Sequence, residues 1–87
     1  VLMSYYYLGS IGGLGSLVVK KRQRPKGGSK NVYYLGMNRD FYNQHEQEIA
    51  RTLKGYGGET TGTPNNFIFA KRPAALKAWT WFVLRFG

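Results

Sequence analysis

Charge is segregated along this 87-residue chain instead of being interleaved with its apolar positions, and that pattern limits what it can fold into. Residues 1–19 carry no charged side chain, whereas residues 20–30 carry six cations and no anion. Over the whole chain 13 Lys and Arg stand against 4 Asp and Glu, a formal net charge of +9. Such a balance implies an anionic neighbour: nucleic acid, lipid headgroups or acidic protein surface. A soluble domain of this size buries only about 60–65% of the surface its unfolded chain exposes. With no Cys and a single His, neither disulfides nor a Cys/His zinc cluster can staple it. Stability is therefore expected to come from a membrane or a partner.

The opening run, Val1 to Val19, reads as a transmembrane helix. At about 1.5 Å per residue it would extend roughly 28 Å, close to the hydrocarbon thickness of a bilayer. Lys20, Lys21, Arg22 and Arg24 close it as a stop-transfer flank does, poised to meet anionic headgroups. Four Gly make it a poor helix in water, but in lipid the cost of unsatisfied backbone enforces one. Gly9, Gly12, Gly13 and Ser16 fall at i, i+3, i+4 and i+7, a smooth helix-packing face with a GxxxG pair. A secretory signal would place its basic residues before the apolar stretch, and here they follow. A buried soluble element and a Gly-rich arm are the remaining alternatives.

Leu8-Gly-Ser-Ile-Gly-Gly-Leu-Gly-Ser-Leu-Val-Val19, followed by cations and Pro25, resembles the membrane segment of the subunit k (DAPIT-type) family of the mitochondrial F-type ATP synthase. The resemblance covers about a quarter of the chain. It implies a single-span accessory subunit that takes no part in proton transfer and helps hold the complex or its dimers together.

The remainder is expected to be helical or irregular. Residues 20–37 read as a basic linker and extended segment, broken by Pro25, Gly27 and Gly28. Val32-Tyr-Tyr-Leu-Gly36 echoes Tyr6-Tyr-Leu-Gly9, which reads as coincidence because no second glycine face follows. Residues 38–54 read as one amphipathic helix, with Asn38 as N-cap, Met37 and Tyr42 as hydrophobic staple, and Gly55 as stop. Phe41, His45, Ile49 and Leu53 form its apolar stripe. His45-Glu-Gln-Glu48 lacks the second His that a helical zinc site needs.

Residues 55–72 read as a loop. Its Gly57 and Gly62 have phosphate-loop spacing, but Thr63-Pro64 stands where Lys-Ser/Thr is required. Residues 73–87 open on Pro73 and read as a C-terminal aromatic helix, interfacial or docked in a protein groove, with Trp79, Trp81 and Arg85 at the interface.

The fold expected is thus all-α: one N-terminal transmembrane helix, a basic linker, one amphipathic helix and a C-terminal interfacial helix. The function expected is that of a non-catalytic accessory subunit of the ATP synthase in the mitochondrial inner membrane. Its partners would be other subunits and anionic lipid such as cardiolipin. No cofactor, small-molecule substrate or nucleic acid is expected. A respiratory complex I accessory subunit and a basic mitochondrial ribosomal or RNA-binding protein are the alternatives.

Overall fold

The computed structural model describes residues 5–23 and 27–87, which form an antiparallel sheet with helices packed on one side. Three strands come first: β1 (Tyr5–Ile11), β2 (Gly15–Gln23) and β3 (Ser29–Met37). Helices α1 (Arg39–Gln44) and α2 (Glu46–Gly55) follow, then β4 (Glu59–Thr60), β5 (Asn66–Phe69) and α3 (Arg72–Phe86). The strand order is β1-β2-β3-β5-β4, every neighbouring pair antiparallel.

The all-α expectation is therefore corrected, and the N-terminal membrane helix is the largest error. Residues 5–19 form a hairpin, while residues 1–4 of the expected span lie outside the described residues. No helix among the described residues is long and apolar enough to cross a membrane. The reason is local. Gly12 and Gly13 occupy a tight turn closed by Leu14 N–H donating to the Ile11 carbonyl at 2.9 Å. Gly12 takes φ +49° and Gly13 no positive φ, the pattern of a type II′ turn that suits the twist of a hairpin. On either side the residues alternate by face. Leu17 and Val19 point into the core while Ser16, Val18 and Lys20 point away.

The basic linker is likewise corrected. Lys20, Lys21 and Arg22 prolong β2, and residues 29–37 return as β3 through Gly27 and Gly28, both at positive φ. The two Tyr-Tyr-Leu-Gly copies turn out to flank β2. Tyr6 and Tyr33 both stand opposite Val19, and Tyr7 and Tyr34 both stand opposite Val18.

The expected helix over 38–54 exists as two helices meeting at His45, whose φ of −123° leaves the helical region. Asn38 caps α1, its Oδ1 accepting from Phe41 N–H at 3.1 Å. The stop falls two residues beyond Gly55, where Gly57 (φ +95°) turns the chain. Gly58 N–H donates to Leu53 O and Gly57 N–H to Lys54 O, a Schellman closure. The expected loop over 55–72 holds β4 and β5, because Phe67 and Phe69 alternate with Asn66 and Ile68.

The helix expected at 73–87 forms as α3, but it docks on the chain's own sheet. Ala75, Ala78 and Phe82 are fully buried there with Leu17, Leu35, Phe67 and Phe69. Each large side chain so buried contributes roughly 1.5–3 kcal/mol. Two glycines permit the approach. A Cβ on Gly9 would overlap the Trp79 indole, and one on Gly15 would crowd the Phe82 ring at 3.0 Å. By contrast, nothing lies within 4 Å of a Cβ added at Gly13.

Gly9→Val is accordingly expected to lower stability by about 1–3 kcal/mol through overpacking, and Gly13→Ala by far less. Urea denaturation of the two variants separates them, and equal effects would contradict the hairpin. A second expectation concerns alkaline pH. Burial, assisted by the nearby Glu46 carboxylate, raises the Tyr42 phenol above its ordinary value of 10.0. The folded state then holds this proton more tightly than the unfolded chain does. The resulting stability is complete below pH 10 and is lost as pH rises through the folded value. Tyr42→Phe should flatten that alkaline decline in a stability-versus-pH series.

Candidate functional site

All three helices pack on one face of the sheet, and among the described residues no helix covers the other. Strand register arranges that open face into cross-strand rows. Tyr5, Lys20 and Val32 form the first row. Tyr7, Val18, Tyr34, Ile68 and Glu59 form the second, crossing all five strands. Ser10, Ser16, Gly36 and Asn66 form the third.

The rows differ in chemistry. Tyr5 and Tyr7 are 60% and 63% exposed, their rings 6.5 Å apart and edge to face. The Lys20 ammonium lies 4.7 Å over the Tyr34 ring, so the cation and the aromatic occupy one site. Val32 and Tyr34 are buried yet stand outside the helix-covered core cluster. Tyr5, Tyr7, Ser16, Lys20, Tyr34 and Asn66 together line a shallow open groove.

Strand lengths add a second feature. Among the described residues, β1 pairs along β2 as far as Lys20, and β5 pairs along β3 as far as Tyr33. β2 and β3 go on pairing with each other past the end of β5, through Lys21–Asn31, Arg22–Lys30 and Gln23–Ser29. The β2–β3 hairpin therefore runs on beyond β5 as a cationic β-ribbon, and Lys20 stands at its root. Among the described residues its cations face no carboxylate in the strand register, and Glu59 lies on the far edge strand.

The residues singled out from sequence are scattered by this geometry. Gly9 lies under Trp79, Gly12 and Gly13 form the hairpin turn, and Ser16 faces the groove, so no helix-packing face exists. Lys20 belongs to the open face and Lys21 is exposed on the ribbon; Arg22 is in register with Lys30, and Arg24 lies outside the described residues. The aromatic side chains of α3 make contacts within the chain while Leu84 stays exposed. Trp79 stacks on Phe82 at 5.7 Å, and Trp81 meets Phe86 edge to face at 5.6 Å. Arg85 forms a two-pronged ion pair with Glu48, its Nε donating at 2.7 Å. His45 packs between Phe41 and Phe86 at 4.7 and 5.0 Å, a structural contact.

Sequence reasoning missed Tyr5, Tyr7, Lys30, Tyr34 and Asn66. The signal for them was the two-residue alternation of Ser16-Leu-Val-Val-Lys20, hidden by the glycines before it. Among the described residues no group of three or more His, Cys, Asp or Glu is placed to hold a metal ion. Comparison of the chain with protein-family models, curated proteins and solved structures gives no match.

The exposed tyrosines of the open face are expected to matter little for folding. Tyr7→Ala should change stability by less than about 1 kcal/mol, whereas Phe67→Ala on the covered face should cost about 3–5 kcal/mol. Chemical denaturation of both variants checks this.

Proposed function

We propose that the chain is a duplex-DNA-binding module that uses the open face of its sheet and the cationic β2–β3 ribbon, with no catalytic step assigned. The observation that carries the reading is the cationic β2–β3 ribbon beside the open face, with Lys20 at its root and Lys21, Arg22 and Lys30 along it. Antiparallel β-structure is one of the elements that reads the major groove of B-DNA, which is about 12 Å wide. The +9 charge supplies the phosphate attraction that dominates affinity.

Two competing readings have less support. The major groove of A-form RNA is too deep and narrow for side chains to read. Single-stranded RNA would call for vacant aromatic platforms. Tyr5 and Tyr7 are exposed, but Tyr34 at the centre of the sheet is buried beneath Lys20. The reading as an ATP synthase or complex I accessory subunit loses the spanning helix on which it stood.

The test is anisotropy of a labelled mixed-sequence duplex titrated with the protein across a series of salt concentrations. Lys20→Ala and Lys30→Ala should each weaken binding and reduce the salt slope by about one unit. Lys77→Ala, exposed on α3 on the helical side, should do neither. Failure to bind at low salt, or an effect of Lys77→Ala as large as that of Lys20→Ala, would remove the proposal.

A further inference from the structure

The third cross-strand row of the open face contrasts with the two before it. Where those rows carry aromatic, aliphatic and charged side chains, Ser10, Ser16, Gly36 and Asn66 present small polar groups and one bare position. Asn66 is the longest side chain of the row and is only half-buried. Its neighbour across the ladder is Gly36, and a Cβ there would come within 3.4 Å of Asn66 Oδ1. The glycine thus leaves room for the amide to stand over the strand. No hydrogen bond to the Asn66 amide is found among the described residues, so its donor and its acceptor are both uncommitted.

The backbone beneath this amide is held in place. Met37 N–H donates to the Asn65 carbonyl at 3.1 Å, and Asn65 Nδ2 donates to the Met37 carbonyl at 2.8 Å. Asn66 N–H donates to the Thr63 carbonyl at 3.2 Å. The Asn65 side chain also leaves its Oδ1 buried with no donor. A buried acceptor left unpaired in this way is uncommon. It sits among the residues lining the groove, next to the free amide.

We infer that Asn66 reads a base edge, with adenine as its preferred partner, and that Asn65 positions it. This deepens the proposed function and rests on it. A free amide offers the donor and acceptor pair that matches adenine N7 and N6 in the major groove, and each such pair discriminates strongly against other bases. Ser16 and Ser10 extend the polar row and accept either kind of base edge. Lys20 lies four residues along β2 from Ser16, roughly 13 Å away at the rise of a strand. That spacing is comparable to the dimensions of the major groove, about 12 Å wide and 8.5 Å deep. In this arrangement Lys20 and the ribbon cations meet phosphates while the polar row faces the base edges. Phosphate contacts place the protein, and the row supplies the sequence information.

The test is selection of bound duplexes from a randomised pool by the full chain and by Asn66→Ala, with salt slopes measured on both proteins. The parent should enrich a fixed adenine. Asn66→Ala should lower discrimination at that one position by about 5- to 150-fold, with its salt slope unchanged and its circular-dichroism spectrum intact. Asn66→Gln, which keeps the amide, should retain part of the preference. An enriched site that survives Asn66→Ala, or binding with no base preference, would overturn the inference while leaving duplex binding in place. Absence of any duplex binding at low salt would overturn both.

Discussion

The close approach of α3 to the sheet at Gly9 and Gly15 governs the rest of the molecule. Phe82 and Trp79 are large, and they reach β1 and β2 because neither glycine has a side chain to hold them off. With α3 seated, Phe82 joins Leu17, Leu35, Phe67 and Phe69 in one cluster, and Ile49 and Leu53 of α2 complete it. Apolar burial is thereby concentrated on one face. Among the described residues no helix covers the opposite face, and its rows are set by register.

Register also decides where the cations go. Consecutive residues of a strand alternate between faces, so Lys20 joins the open face while Lys21 does not. Arg22 and Lys30 are paired in register on the cationic ribbon, which the backbone ladder of β2 and β3 joins to the sheet. In the proposed duplex complex the ribbon would supply phosphate attraction, which weakens steeply with salt.

The helical half of the molecule was legible in the sequence. Asn38 caps as its residue type demands, and Pro73 lies in the first turn of α3, one residue after its start at Arg72. The stripe of Ile49 and Leu53 is buried as its spacing implies. The sheet was misread because two periods competed over residues 5–20. Small residues at Gly9, Gly12, Gly13 and Ser16 match a helical repeat, and that match outweighed the alternation through Val18 and Val19 and the Gly-Gly turn signal. The charge-free stretch strengthened the error, since a strand buried on one face needs no charge either. The repeated Tyr-Tyr was a missed hint of strand pairing, for the tyrosines of both copies stand opposite Val18 and Val19, while the register shift after Tyr7 puts the two Leu-Gly pairs out of step. Tyr34 and Asn66 could be assigned to one groove only once β5 was placed beside β3, a pairing across a span that local patterns do not encode.

The two borders of the sheet are guarded unequally. β4 is two residues long and carries Glu59, a short and charged margin that deters lateral growth. β1 runs for seven residues without a charge or a proline, presents three tyrosines in succession, and has only the irregularity between Tyr7 and Gly9 to interrupt it. Its outward amides and carbonyls form a template on which an extended segment of another chain can crystallise one hydrogen bond at a time. Colloidal behaviour at high concentration is thus dictated by this margin, with electrostatic repulsion between whole molecules as the opposing force.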